Sequence, residues 1–482
     1  MTAGDVDLGR AAARGGVWTV AGEATSRVAA ALVFFVLAGV LSPAEFGLAA
    51  IAFFCVQIAN SLTYAGLGQA VQVLGPDEER DRTAVGMGLV FGLTGAGALA
   101  LLAGPLCHAL DAPGATNLVR FVGLALPLAQ SGEVLSALLA RDLRFKVTGS
   151  AVIAGAVGSA AIGLGLAAVG AGPAALVTQA VLQHGIRMLV LVVAKPSGFR
   201  PLLVPARVRE VIKIGRVLLV SGLFETSAAN IDNICVSAIA GSAALGAYGF
   251  GYNLCALPMY VVGIAVGRVA LPVYGRLRDR PHLIGPSFQQ AIEVTTWLTA
   301  LPLGYIAIAG PEALTVLFGG KWSAIDQAIR LLALHGWMRA TETASTTVLI
   351  AIGRARTTLN VQVFQFLLAA GLLIPLVSWH GPLGAALAIV LAVTAGTTYS
   401  LLQSTRSTGG SRPALLARLI EGAAAGCAGG ELGLVVLRHT GGYGGLVLSL
   451  LVAVLTWAAC LAVLRQPTVR LALQVFGRSA HA

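Results

Sequence analysis

The sequence predicts an all-α polytopic membrane protein of about 14 transmembrane helices, built as two six-helix bundles related by a parallel repeat plus two C-terminal helices. Three observations predict it. The 482-residue chain is 57% hydrophobic and 11% charged, with a mean hydropathy of +0.84, outside the range of soluble domains. Apolar runs of roughly 20 residues recur along the chain, and at about 1.5 Å per residue each is long enough to cross a hydrocarbon core of about 30 Å. The loops between them alternate: one set holds most of the 32 Lys and Arg and the other almost none.

Taken in order, the first run, 16–38, follows Arg10 and Arg14 and contains Glu23 and Arg27. Its charges and long lead do not suit a cleaved signal peptide. Runs 46–72 and 84–106 flank Arg80 and Arg82, and 118–140 and 149–169 flank Arg141, Arg144 and Lys146. Run 172–194 leads into the longest inter-span segment, 195–213, with Lys195, Arg200, Arg207, Arg209 and Lys213. Runs 214–240 and 244–267 follow, then Arg268, Arg276, Arg278 and Arg280. Runs 287–309 and 325–351 precede Arg354 and Arg356, and 357–378 and 383–404 precede Arg406, Arg412 and Arg418. Runs 414–437 and 443–464 end before Arg465, Arg470 and Arg478, whereas Arg120, Lys321 and Arg438 fall on the opposite side. The positive-inside rule then places both termini in the cytoplasm of a multi-pass protein of the bacterial inner membrane.

The chain divides at the basic segment into an N-terminal bundle (1–194), a cytoplasmic linker (195–213), a second bundle (214–405) and two extra helices with a tail (406–482). Val17, Val20, Gly22 and Ser42 recur at a shift of 200 residues as Val217, Val220, Gly222 and Ser242. Gly47 and Gly68 recur at a shift of 199 as Gly246 and Gly267. Six spans per copy makes the repeat parallel, with a site expected where the copies meet.

The net charge of +11 is spread over short juxtamembrane loops, which fits orientation and contact with anionic lipid rather than nucleic acid. The six cysteines are scattered without CxxC or Cys/His spacing, so no metal site or disulfide framework is expected. The 60 glycines suit close helix approach in lipid. Pro127, Pro258, Pro302 and Pro375 are expected to mark kinks or hinges within spans. No loop is long enough to hold a catalytic domain, and no Ser/His/Asp set or phosphate loop is present, so an enzyme is not expected.

Charges within spans are the functional candidates, because each costs about 2.5–3.5 kcal/mol to insert. Arg27 lies mid-span with Glu23 four residues before it, either an intrahelical ion pair or a cation for an anionic head group. Span 7 carries Glu225 and Asp232 on one face with Asn230 and Asn233 beside them, either packing hydrogen bonds or a cation-coupling site for Na⁺ or a proton. Arg339 with Glu342, and Arg187 with His184, suit structural pairing or snorkelling, and remain candidate substrate contacts. Glu133 and Glu293 read as lone acids. No cofactor is expected.

Several strings resemble one family. LSPAEFG (Leu41–Gly47) and RDLRFK (Arg141–Lys146) are similar to short loops of the bacterial polysaccharide flippases (O-antigen and exopolysaccharide, Wzx-type), within the multidrug/oligosaccharidyl-lipid/polysaccharide exporter superfamily. Asn230-Ile-Asp232, Gly246-Ala-Tyr248, Tyr252-Asn253 and Leu257-Pro258 resemble its spans 7 and 8, and PVYGRL (Pro272–Leu277) and LFGGKW (Leu317–Trp322) the flanks of its span 9. Where the family often has a basic residue after the span-7 aspartate, this chain has Asn233. The resemblance implies flipping of a polyprenyl-diphosphate-linked glycan from the cytoplasmic to the outer leaflet by alternating access. Arg27 would then meet the diphosphate and Arg268 would capture it first. Membrane lipid, a polysaccharide polymerase and glycosyltransferases would be its partners. A cation-coupled drug exporter and a peptidoglycan-precursor flippase of the same superfamily are the alternatives.

Overall fold

A computed structural model describes residues 3–63, 66–74, 76–196, 200–277 and 280–464. Some helical side chains, including those of Glu225 and Arg268, lie outside the described residues. Among the described residues the regular elements are helical, with no strand. The helices are α1 (Ala3–Val40), α2 (Pro43–Thr63), α3 (Leu67–Val73), α4 (Glu78–Ala109), α5 (Thr116–Val122), α6 (Ala125–Arg141), α7 (Phe145–Ala168) and α8 (Ala174–Ala194). They continue as α9 (Pro205–Arg276), α10 (Ile284–Phe318), α11 (Ala328–Ala351), α12 (Ala355–Thr408), α13 (Arg412–Thr440) and α14 (Gly442–Leu464).

Among the described residues, 11 segments are long and apolar enough to cross a membrane. The 24-residue α11 is long enough but is interrupted by Arg330, Arg339 and Glu342. The two longest helices are each broken by a glycine: Gly241 in α9 at φ 83° and Gly381 in α12 at φ 55°. Both dihedrals lie where a Cβ would clash with the backbone, so glycine is the residue that ends one helix there and lets the next begin.

The chain forms two compact units, Met1–Gly246 and Ala247–Ala482. In the first, α1 packs on α7, α7 on α8, α4 on α6 and α6 on α8. Its core centres on Leu67, Val85, Met87, Leu135, Leu138, Leu139 and Leu191. The first part of α9 joins it through Ser61 Oγ donating to Thr226 Oγ1 (2.5 Å) and Ser237 Oγ to the Leu110 carbonyl (3.3 Å).

The turn between α1 and α2 is a capping box. Ser42 donates through its backbone N–H and Oγ to Glu45 Oε2 (2.9 and 2.8 Å), and the Glu45 N–H returns to Ser42 Oγ (3.3 Å). Pro43 begins the helix where its missing N–H has no cost. Replacing Ser42 with Ala is expected to lower stability by about 1 kcal/mol, read as a lower denaturant midpoint in detergent, and an unchanged midpoint would contradict the cap. Four residues on, the helix meets a second turn. A Cβ on Gly47 would lie 1.8 Å from the Ser242 carbonyl oxygen, and one on Gly246 would lie 1.8 Å from that of Pro43. The two turn segments that recur in the sequence thus pack reciprocally, backbone against backbone.

At the opposite edge of this unit the basic linker is held by acids. Arg207 pairs with Asp77 (2.9 Å), Glu79 (3.3 Å) and Glu210 (3.0 Å). Arg82 Nε donates to the Arg200 carbonyl (3.1 Å) while Leu202 N–H donates to that of Arg82 (3.3 Å). Asp77 caps α4, and the Arg80 N–H it accepts, then the Arg207 and Arg80 charges, hold its carboxyl below the usual range. Arg141 pairs with Asp81 from α4. Within the linker, Arg207 is therefore matched by acids of the protein, as is Lys195 by Asp142 (2.6 Å).

Pro127 lies in the first turn of α6, and the run 118–140 is broken just before it, between Val122 and Ala125, at the residue whose carbonyl a proline at 127 cannot serve. Pro302 and Pro375 lie within α10 and α12. The expectation that Glu133 and Glu293 are lone acids is corrected. Glu133 pairs with Arg187 at 3.1 Å and Glu293 with Arg418 at 3.0 Å. Each partner comes from a distant span, which local spacing cannot reveal.

In the second unit α10 packs on α13 and α11, α13 on α14, and α11 on α12. Small residues set the α10–α13 distance: a Cβ on Gly426 would lie 2.2 Å from the Ala300 carbonyl oxygen, and one on Gly304 would lie 2.5 Å from the Gly426 carbonyl carbon. Arg418–Glu293 closes one end of this helix pair and Arg438–Glu312 (2.5 Å) the other. Trp457 Nε1 donates to the Trp297 carbonyl (3.0 Å), so the last two helices are fastened to α10 by polar contacts as well as by packing.

Candidate functional site

The first unit holds a cavity of about 490 Å³ lined by side chains of α1, α3, α6, α7 and α8. Each contributor is placed by helical spacing. Glu23 and Ser26 are three residues apart on α1, and Glu133 and Ser136 three apart on α6, so each pair shares a face. Gly149 of α7 lets α1 come close: a Cβ there would lie 2.6 Å from the Trp18 carbonyl oxygen. Arg187 of α8 donates through Nη2 to Glu133 Oε2 (3.1 Å) and Ser136 Oγ (2.9 Å). Gln183 Nε2 donates to Ser26 Oγ (3.2 Å). Gln69, Gln72, His184 and Thr148 complete the polar lining.

The cavity has unspent hydrogen-bonding capacity. Arg187 Nε is buried and makes no hydrogen bond among the described residues. A buried guanidinium donor without an acceptor is unfavourable unless an anion or hydroxyl arrives to accept from it. Arg27 is held by Glu23 at 2.8 Å, with about a third of its side chain exposed (35%). Glu23 lines the cavity and Arg27 is not among the lining residues. The predicted i,i+4 pair is therefore present, and it presents its carboxylate to the cavity.

A second polar layer lies in the same unit, made of neutral amides and hydroxyls. Asn230 Nδ2 donates to Gln57 Oε1 (3.3 Å) and to the Thr226 carbonyl (2.9 Å). Asn233 Nδ2 donates to Asn230 Oδ1 (3.4 Å), and the Asn233 N–H to Asp232 Oδ1 (2.9 Å). Gln130 Nε2 donates to Asn60 Oδ1 (3.0 Å) and Thr63 Oγ1 (3.3 Å). Asp232 and Asn230 are both buried, 5% exposed each. The structure thus brings Asn230, Asp232 and Asn233 together, while the side chain of Glu225 lies outside the described residues, as does that of Arg268. Among the described residues no cluster of His, Cys, Asp and Glu has the makings of a metal site.

The second unit has its own intramembrane cluster. Glu342 Oε2 accepts from Arg339 Nη1 (3.2 Å) and Gln365 Nε2 (2.9 Å). The expected Arg339–Glu342 pair is present, with Gln365 as a third member. Sequence reasoning passed over the neutral amides Gln57, Asn60, Gln69, Gln72, Gln130, Gln183 and Gln365. Their signal was available, since an amide within an apolar run needs a partner as much as a charge does.

A family model described as "Polysaccharide biosynthesis protein" matches residues 36–327. The chain belongs to this family. Its relatives include the succinoglycan biosynthesis transport protein ExoT of Rhizobium meliloti (strain 1021), 30% identical over 62% of this chain and 61% of that protein. The lipopolysaccharide biosynthesis protein WzxC of Escherichia coli (strain K12) is 22% identical over 77% of each. The match thus spans about three-fifths of the Rhizobium protein's length. Among solved structures, a lipid II flippase MurJ in an inward closed conformation aligns at TM-score 0.70, with 13% identity, over 94% of this chain and 99% of that one. An inward-facing multidrug resistance MATE family transporter aligns at TM-score 0.61, with 15% identity, over 81% and 99%. At these identities the likeness is one of fold alone.

Proposed function

We propose that this protein translocates a polyprenyl-diphosphate-linked oligosaccharide from the cytoplasmic to the outer leaflet of the inner membrane during polysaccharide biosynthesis, as a carrier and not an enzyme. The observation that carries the reading is the cavity of the first unit, with its buried, unsatisfied Arg187 Nε. A diphosphate needs cationic donors inside an apolar span, and sugar hydroxyls need planar amides and carboxylates. Glu23, Glu133, Arg187 and the surrounding glutamines supply both. A weakly basic drug would instead favour unpaired acids, whereas both carboxylates of this lining, Glu23 and Glu133, are paired with arginines, Arg27 and Arg187. The family match and the relatives' roles in polysaccharide and succinoglycan biosynthesis point the same way.

Several parts of the mechanism rest on the same reading. Fourteen crossings with both termini inside follow from charge asymmetry, and the cavity then opens on the half of the unit where the head group is made. The recurrence of Ser42 and Gly47 as Ser242 and Gly246 is the sequence feature behind the expectation of alternating access between repeats. Arg27 and Arg268 would assist capture of the diphosphate. Asp232, Asn230, Asn233 and Glu225 would bind Na⁺ or a proton to reset the carrier.

Deletion of the gene in a polysaccharide-producing host tests the reading. Surface polysaccharide should be lost while the lipid-linked repeat unit accumulates in the inner leaflet. Loss of the repeat unit itself would place the protein in synthesis instead.

A further inference from the structure

The second unit contains a built polar site that the cavity of the first does not explain. Arg339 lies near the middle of α11, and its side chain is 42% exposed although Glu342 beside it is 4% exposed. A guanidinium at mid-span is strongly disfavoured against lipid, so its exposed surface is suited to a water-filled space. Its geometry is fixed from behind. Nη1 is bound by Glu342 Oε2 (3.2 Å) and Gln365 Oε1 (3.5 Å), and Gln365 is locked in turn to Glu342 (2.9 Å). Gly396 makes room for this arrangement, since a Cβ there would lie 2.1 Å from Gln365 Nε2. Both of the Arg339 hydrogen bonds leave from Nη1, so Nη2 and Nε remain as a two-donor fork.

Tyrosines lie near this cluster: Tyr252 packs against buried residues that include Ala340, the chain neighbour of Arg339, and Tyr260 lies about two turns further along α9. The Tyr252 ring lies 5.5 Å from the ring of buried His335, and Tyr260 is 43% exposed. A rigid planar donor pair next to tyrosine faces is suited to a sugar ring: the fork takes two neighbouring ring oxygens or hydroxyls, and the aromatic face covers the ring's C–H surface. Resting on the function proposed above, we infer that Arg339, Gln365, Tyr252 and Tyr260 form a glycan subsite, which reads the sugar portion of the lipid-linked substrate and not its diphosphate.

The test uses the full chain in lipid nanodiscs and two probes: undecaprenyl diphosphate, and the undecaprenyl-diphosphate-linked oligosaccharide extracted from the producing bacterium. Wild type should prefer the glycan-bearing lipid. Arg339→Gln and Tyr260→Ala should reduce that preference by about tenfold or more, leaving affinity for the bare lipid within about twofold. Gly396→Ala should do the same by displacing Gln365, although it removes no polar group. Tyr260→Ala keeps the test open should the Gly396 variant fail to fold, because the Tyr260 ring is exposed. Equal loss of both lipids in the Arg339 variant would make it a general anion site and overturn the glycan assignment. Unchanged preference in all three variants would overturn it as well. Wild-type protein that binds neither probe would instead remove the functional reading on which the subsite rests.

Discussion

Arg187→Ala is expected to reduce polysaccharide export on the order of a hundredfold, with the protein still present in the membrane. The pair is partly exposed, 24% for Arg187 and 46% for Glu133, so solvent screens it and the effect falls on export more than on stability; the loss has two parts. Glu133 and Ser136 lose the donor they share, and the cavity loses the guanidinium whose Nε awaits an acceptor. Arg187→Lys should recover part of the activity, since a point charge can pair with Glu133 but lacks the planar fork. Complementation of a deletion strain, with surface polysaccharide and membrane abundance measured together, checks the result. Full export by Arg187→Ala would remove this residue from substrate binding, and disappearance of the protein would make its role structural.

The second large effect is steric. Gly47→Ala and Gly246→Ala each place a methyl 1.8 Å from a backbone carbonyl oxygen, of Ser242 and Pro43 respectively. Backbone cannot yield as a side-chain tip can, so each substitution should cost at least about 3 kcal/mol, the upper end for overpacking. Gly97→Ala is the matched control: no atom lies within 4 Å of its added Cβ, and a mid-helix alanine should be neutral or stabilising by up to about 1 kcal/mol. Melting temperatures of the three variants in detergent give the comparison. Equal values for Gly47→Ala and Gly97→Ala would contradict the close packing of the two turns.

Those glycines also show how much the sequence made legible. Ser42, Gly47, Ser242 and Gly246 stood out as recurring positions, and the structure brings them into reciprocal contact. The all-helical membrane fold was plain from apolar run length, and the i,i+4 and i,i+3 pairs Glu23–Arg27 and Arg339–Glu342 from helical spacing. What spacing could not supply was any pairing between spans. Arg187 with Glu133, Arg418 with Glu293 and Gln365 with Glu342 are separated in sequence by 54, 125 and 23 residues, and only packing brings them together. Arg27 stood out because it is a cation at mid-span, yet the cavity is lined by its partner Glu23 and by Arg187. The amides were overlooked because they carry no charge, although they supply most of the second polar layer.

The central claim is transport of a lipid-linked glycan, and reconstitution tests it most directly. Purified protein in proteoliposomes, loaded with the host's polyprenyl-diphosphate-linked oligosaccharide, should make the inner-leaflet glycan accessible to an externally added glycan-cleaving enzyme. Na⁺ and proton gradients imposed separately would identify any coupling ion, and Asp232→Asn should then slow turnover. The account predicts glycan exposure well above protein-free vesicles and its loss with Arg187→Ala. Exposure no faster than in protein-free vesicles, under either gradient, would contradict it.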